Sequence, residues 1–214
     1  MGVPPSARER SVAETTRAVS RGFAKRPTIV FFGTSLTAGY GLDPSEAFPA
    51  IVARLADAAG TPINAVNAGL SGETSAGALR RIDWVLKGPA DVVVLEVGAN
   101  DALRAIDPAS TRKNIEHVIE AARRDRPAAR IILVQMEAPP NLGDRFTREF
   151  HGLYAEVASG ERVELMPFLL DGVAGISGLN QADGIHPNFK GEKIVARNVW
   201  RSLAPVVKSL SSAR

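Results

Sequence analysis

Four short stretches of the chain carry residue types that do chemistry when they meet in space. Gly33-Thr34-Ser35-Leu36-Thr37 sets a hydroxyl just after a glycine that permits a tight turn. Alone it reads as a helix cap, a position that Ser and Thr favour. Asn67-Ala68-Gly69-Leu70-Ser71-Gly72-Glu73-Thr74 contains two glycines that let the backbone approach a ligand and expose amide hydrogens. Alone it is a turn into a helix capped by Ser71 or Thr74. Gly98-Ala99-Asn100-Asp101 offers an amide side chain and a carboxylate. Asp183-Gly184-Ile185-His186-Pro187 separates a carboxylate from an imidazole by two residues. In a helical turn that spacing brings side chains to about 5–6 Å, so Asp183 can accept from one ring nitrogen and leave the other facing outward. Of the three histidines, His117 and His151 fall in helical segments and read as surface residues. An activated serine needs an imidazole to take its proton, a carboxylate to set the tautomer, and donors where negative charge develops on the substrate oxygen. All these parts are present, and their joint occurrence weighs more than any one piece.

Such residues must be positioned by regular elements, and the chain has a βα rhythm. Thr28-Ile29-Val30-Phe31-Phe32 is a continuous apolar run ending at Gly33, as expected of a strand buried on both faces of a parallel sheet. Ile63 to Ala68, Val92 to Val97, Ile131 to Met136 and Val163 to Met166 predict four further strands. Between them Phe48, Ile51, Val52 and Leu55 recur at helical spacing, as do Ile115, Val118, Ile119 and Ala122, and finally Ile194, Val195, Val199 and Leu203. Five strands with intervening helices predict a three-layer α/β/α sandwich around a central, mostly parallel five-stranded sheet. In such folds ligands bind outside the carboxyl ends of the strands, where the first three stretches fall.

At 214 residues and 45% hydrophobic, the chain suffices for one core without staples. Residues 1–26 read as a polar extension that allows a short helix over Ala7 to Ser20, and 27–214 as a single domain. The absence of cysteine excludes a disulfide framework, a thiolate nucleophile and cysteine-based metal sites. The 26 Lys and Arg are spread against 23 Asp and Glu, and the densest basic cluster, Arg123-Arg124-Asp125-Arg126, closes a helical pattern, where cations complement the helix dipole. With 6% aromatic residues beside so little clustered charge, nucleic acid is not an expected partner. No apolar run approaches the roughly 18 residues of a membrane span. The first 26 residues lack an apolar h-region and do not read as a secretory signal, and a match of Met1-Gly2 with Ser6 to a myristoylation pattern is discounted. Compartment and oligomeric state stay open at this level.

The four stretches, in this order, resemble the conserved blocks of the GDSL/SGNH hydrolase family, more closely its bacterial arylesterase, thioesterase and lysophospholipase branch. The resemblance runs from about Ile29 to the C-terminal helix. It implies Ser35 as nucleophile, Asp183 and His186 as its acid and base, and an oxyanion hole formed by Gly72, Asn100 and the Ser35 amide. It implies hydrolysis of aryl or acyl esters, thioesters or lysophospholipids as small-molecule substrates, with no cofactor and no metal. Met136 to Gly143 resembles the loop lining the acyl crevice in that branch, so Pro139, Pro140, Leu142 and Phe146 are expected to supply an apolar wall. One departure stands out: the family's first block usually reads Gly-Asp-Ser-Leu, and here Thr34 takes the place of the aspartate.

An α/β-hydrolase would present Gly-x-Ser-x-Gly, with acid and base on separate loops; here Thr37 replaces the second glycine and the acid and base are nearly adjacent. Within the same fold, a carbohydrate O-acetylesterase or an acyltransferase would share the acyl-enzyme. A catalytically degenerate binding module is the reading from a different class, and covalent labelling by a fluorophosphonate discriminates it.

Overall fold

In the computed structural model, which describes residues 26–212, the first apolar run becomes β1 (Thr28–Gly33), buried along its whole length. The helix expected over Ala7 to Ser20 lies outside the described residues. Four further strands follow: β2 (Asn64–Gly69), β3 (Val92–Glu96), β4 (Arg130–Val134) and β5 (Glu164–Met166). They form one sheet in the order β2-β1-β3-β4-β5, every pairing parallel. Strand ends differ from the expected ones by one or two residues, because the apolar runs continue into buried residues such as Val97 and Met136 beyond the last ladder bond. Strand β2 lies at an edge, where its residues need not be apolar on both sides, and Val66 is exposed.

The helices are α1 (Ser35–Ala38), α2 (Phe48–Ala58), α3 (Ser75–Val85), α4 (Ala99–Leu103), α5 (Pro108–Asp125), α6 (Asp144–Glu161) and α7 (Phe189–Ser212). Helices α3, α5 and α6 pack side by side on one face of the sheet, and α2 packs with α7 on the other, giving the three-layer α/β/α sandwich. Helix α5 starts where Asp107 accepts from the Ala109 amide and Pro108 takes the first helical position. It ends with Arg123 and Arg124 in its last turn and Arg126 donating to the carbonyls of Lys87 and Gly88. Among the described residues no helix is long and apolar enough to cross a membrane.

The chain leaves β1 for β2 on one side and then crosses to β3 on the other, so the carboxyl ends of β1 and β3 flank the crevice where such sheets bind ligands. Register makes this junction tight. Gly33, the last residue of β1, lies opposite Gly69 of β2 and Glu96 of β3. A Cβ on Gly69 would stand 2.2 Å from the Ala38 amide nitrogen, so glycine is what allows α1 to sit against the end of β2.

Candidate active site

Ser35 is the first residue of α1, directly after β1, and it is buried to 8% exposure. Its Oγ lies 2.8 Å from His186 Nε2, across 151 residues of sequence. The other ring nitrogen, Nδ1, lies 2.8 Å from Asp183 Oδ2. The pairing of Asp183 with His186 anticipated from spacing is therefore present, though not in a helix. Asp183 closes its own turn, its Oδ1 accepting from the amides of Ile185 at 2.9 Å and His186 at 3.0 Å. Those backbone bonds, with the imidazole bond, hold the Asp183 carboxyl down at about 2. The loop is anchored in turn: the Gln181 amide donates to His186 O, and Gln181 Nε2 donates to Tyr40 O and Pro187 O. The Tyr40 ring lies against the imidazole, with centroids 4.6 Å apart.

Two loops at the carboxyl ends of the strands flanking β1 carry the candidate oxyanion donors, and Asn100 lines the same cleft as Ser35. After β2, the Glu73 amide donates to Leu70 O across Ser71 and Gly72, and Gly72 takes φ +77°, the left-handed conformation demanded at the third position of a type II turn. Arg104 Nη2 donates to Gly72 O at 3.1 Å and pins that residue from outside. After β3, Gly98 at φ +108° turns the chain into α4, which carries Asn100. Among the described residues no hydrogen bond engages the Gly72 amide or the Asn100 side chain. The Ser35 amide, at the start of a helix, has no intrahelical acceptor. Asp101, beside Asn100, serves the scaffold instead. It is buried and accepts from the Ser75 amide and hydroxyl at 2.8 and 2.5 Å, tying α4 to α3. Thr74, not Ser71, caps α3.

A cleft of about 440 Å³ opens from Ser35 and Asn100, walled by Leu36, Leu103, Met136, Pro139, Pro140, Phe168 and Leu170. Its apolar walls with few polar groups are typical of small-molecule sites. The four residues expected to wall it fall in two places. Pro139 and Pro140 face the cleft, whereas Leu142 and Phe146 do not line it. A short 3-10 turn over Pro140–Leu142 swings the chain away, and Phe146 on α6 stacks on Phe150 at 6.0 Å, against the core. His151 is exposed as expected, its Nδ1 2.8 Å from Glu137 Oε1, and His117 is half-buried on α5. Among the described residues no group of three His, Asp or Glu side chains is arranged to hold a metal.

Comparison with known proteins decides the lineage. The GDSL-like lipase/acylhydrolase family profile matches residues 31–194. The chain belongs to that family. It is similar to esterase TesA of Pseudomonas aeruginosa, 40% identical over 187 residues that cover 86% of this chain and 91% of the relative. It is 32% identical to thioesterase 1/protease 1/lysophospholipase L1 of Escherichia coli over 86% of each chain. Among solved structures it resembles the psychrotrophic esterase EstA from Pseudoalteromonas sp., inhibited by monoethylphosphonate, with a TM-score of 0.79, 31% identity, and coverage of 85% of this chain and 98% of that one. The protein is thus a GDSL/SGNH serine esterase.

In this esterase the departure at Thr34 has a structural partner that sequence reading missed. Glu96, the last residue of β3, is 1% exposed. Its Oε2 accepts from the Thr34 amide at 2.7 Å and the Thr37 hydroxyl at 2.9 Å, and both its oxygens accept from the Thr34 hydroxyl. Thr34 stands at the N-cap of α1 without capping it, because its hydroxyl is spent on Glu96. Burial pushes the Glu96 carboxyl up to about 7 against the pull of these bonds. The esterase's serine loop therefore rests on a buried carboxylate that holds the residues on both sides of Ser35. The available signal was a lone acid in the otherwise apolar run Val92-Val93-Val94-Leu95-Glu96-Val97.

Proposed function

We propose that the esterase hydrolyses carboxylic esters of small molecules by two-step acyl transfer through Ser35. The hydrogen-bonded chain Ser35–His186–Asp183 carries this reading. His186 Nε2 takes the hydroxyl proton as Ser35 Oγ attacks the ester carbonyl. Asp183, ionised and bonded to Nδ1, fixes the tautomer and stabilises the imidazolium that forms. Negative charge on the carbonyl oxygen meets the amides of Ser35 and Gly72 and the Asn100 side chain, none of which has a hydrogen-bond partner among the described residues. His186 then returns the proton to the departing alcohol, and water repeats the sequence to free the acid.

The apolar cleft beside Ser35 and Asn100 is the place for the acyl chain. Its walls of Leu, Met, Pro and Phe favour a hydrocarbon acyl group over a sugar. Hydrolysis of p-nitrophenyl esters from acetate to long acyl chains, run on the wild type and Ser35→Ala, tests the proposal. Turnover that vanishes with Ser35 and rises with chain length until the cleft is filled is the expected result. Turnover that persists in Ser35→Ala would overturn it, as would failure of the wild type to be labelled by a fluorophosphonate.

A further inference from the structure

A second hollow, of about 570 Å³, adjoins the site and differs in character from the acyl cleft. It shares none of the cleft's lining residues, yet it includes Gly72, one of the proposed oxyanion donors. The boundary falls between neighbours on the chain: Leu103 lines the apolar cleft and Arg104 lines this hollow. One face of α3 forms its side. Gly77, Arg80, Arg81 and Trp84 recur at the three- and four-residue spacing of a helical stripe, and all four line it.

The charge there is unbalanced. Arg81 is neutralised by Glu73, with Nε at 2.8 Å and Nη2 at 2.5 Å from the carboxylate, and its guanidinium lies 4.3 Å from the centre of the Phe32 ring. Arg80 and Arg104 remain, both exposed, and among the described residues neither has a carboxylate partner. Arg104 spends one N–H on Gly72 O, which leaves the rest of its fork facing outward. Trp84, 69% exposed, offers a flat apolar surface beside them. Two guanidinium groups without a carboxylate partner among the described residues, and an indole, around one hollow suit an oxyanion carried on a carbon skeleton, because Arg presents a planar fork that matches phosphate, sulfonate or carboxylate.

With the carbonyl oxygen among its donors and the acyl chain in the apolar cleft, an ester still has its alcohol or thiol portion to place. We propose that the hollow formed by Arg80, Trp84 and Arg104 is a leaving-group subsite, selecting esters whose departing group carries an oxyanion. The assignment rests on the serine-esterase reading above and adds the substrate's second half to it.

The test uses phenyl butyrate esters with matched leaving-group reactivity, bearing at the para position a neutral sulfonamide, a sulfonate or a phosphate. Selectivity is the kcat/KM of each anionic ester divided by that of the neutral one. Arg80→Glu is the informative variant, with Arg80→Gln beside it, since Arg104 also holds Gly72 and its loss would blur two effects. The wild type is expected to favour an anionic ester, and Arg80→Glu to lower that selectivity about tenfold, within the range of a charge-assisted hydrogen bond. Raising salt from 20 to 300 mM, which takes the screening length from about 20 Å to about 6 Å, is expected to erode the wild-type preference and not the variant's. A larger wild-type ratio for phosphate than for sulfonate identifies a phosphate-bearing leaving group; the reverse order identifies a singly charged one. Equal selectivity in the wild type and Arg80→Glu, or a preference indifferent to salt, would overturn the subsite while Ser35-dependent turnover of the neutral ester left the esterase reading intact. Loss of that Ser35 dependence would instead sink the underlying reading.

Discussion

The hydroxyl of Thr34 lies 2.9 Å from Oε1 and 3.0 Å from Oε2 of Glu96, a buried carboxylate whose hydrogen-bond partners among the described residues include no cation. Through this contact a residue next to the nucleophile is bonded both by main chain and by side chain to the strand that leads to Asn100. A neutral donor at position 34 suits an ionised Glu96. An aspartate in the same place would set two carboxylates together, and one of them would have to keep its proton.

Thr34→Val deletes one of the bonds that favour the ionised form of Glu96 while leaving the shape of the side chain. The expected result is a loss of about 1–2 kcal/mol of stability, as for one buried hydrogen bond left unmade, and a larger loss at pH 8.5 than at pH 6. Thr34→Asp is expected to show the same pH trend more steeply. Urea unfolding at the two pH values measures both, and a Thr34→Asp protein more stable than the wild type at pH 8.5 would contradict the account.

Glu96 and Glu192 make stability fall as pH rises. Glu192 is 1% exposed, accepts from the Phe48 amide at the start of α2, and is pushed up to about 8, first by burial and further by the charge of Glu96. Both carboxyls titrate near 4.5 when unfolded and near 7 and 8 when folded, so between those values the folded chain holds more protons than the unfolded one. Their contribution is fully present below about 4.5 and is lost through about 7 and 8. Glu192→Gln keeps an acceptor for Phe48 and removes one titration, so its stability is expected to decline less between pH 5.5 and 8.5 than that of the wild type. Chemical denaturation across that range checks it, and parallel curves would refute it.

Asp183, held at about 2, stays ionised throughout the range in which an esterase is assayed. The acid limb of kcat/KM is therefore expected to titrate one proton, not two, down to pH 4. Asp183→Asn retains an acceptor for the amides of Ile185 and His186 but turns a donor toward Nδ1, forcing the wrong tautomer. A fall in kcat on the order of a thousandfold or more is expected, measured by steady-state hydrolysis of a p-nitrophenyl ester.

Asn100→Ala removes a side-chain donor that has no hydrogen-bond partner among the described residues and is proposed to meet the developing charge on the substrate. It is expected to lower kcat on the order of a hundredfold or more with little change in KM. Wild-type turnover in that variant would remove Asn100 from the oxyanion hole.

Much of the architecture is legible in the sequence because its physics is local. The unbroken apolar run Thr28 to Phe32 can be satisfied only by a strand covered on both faces, and the spacing of Ile115, Val118, Ile119 and Ala122 only by a helix with one buried side. Asp183 and His186 are readable as a pair because three residues of chain hold them together. Other relations are not local. The parallel register that sets Gly33 between Gly69 and Glu96, the carboxylate under Thr34, and the turn of Pro140–Leu142 that carries Phe146 away from the cleft depend on residues far apart in the chain. Propensity and periodicity act over a few neighbours, and so the order of residues specifies which side chains and which elements are available. The 2.8 Å between Ser35 and His186, across 151 residues, belongs to the packing of α1, α2 and α7 around one sheet, a distance that no local preference can set.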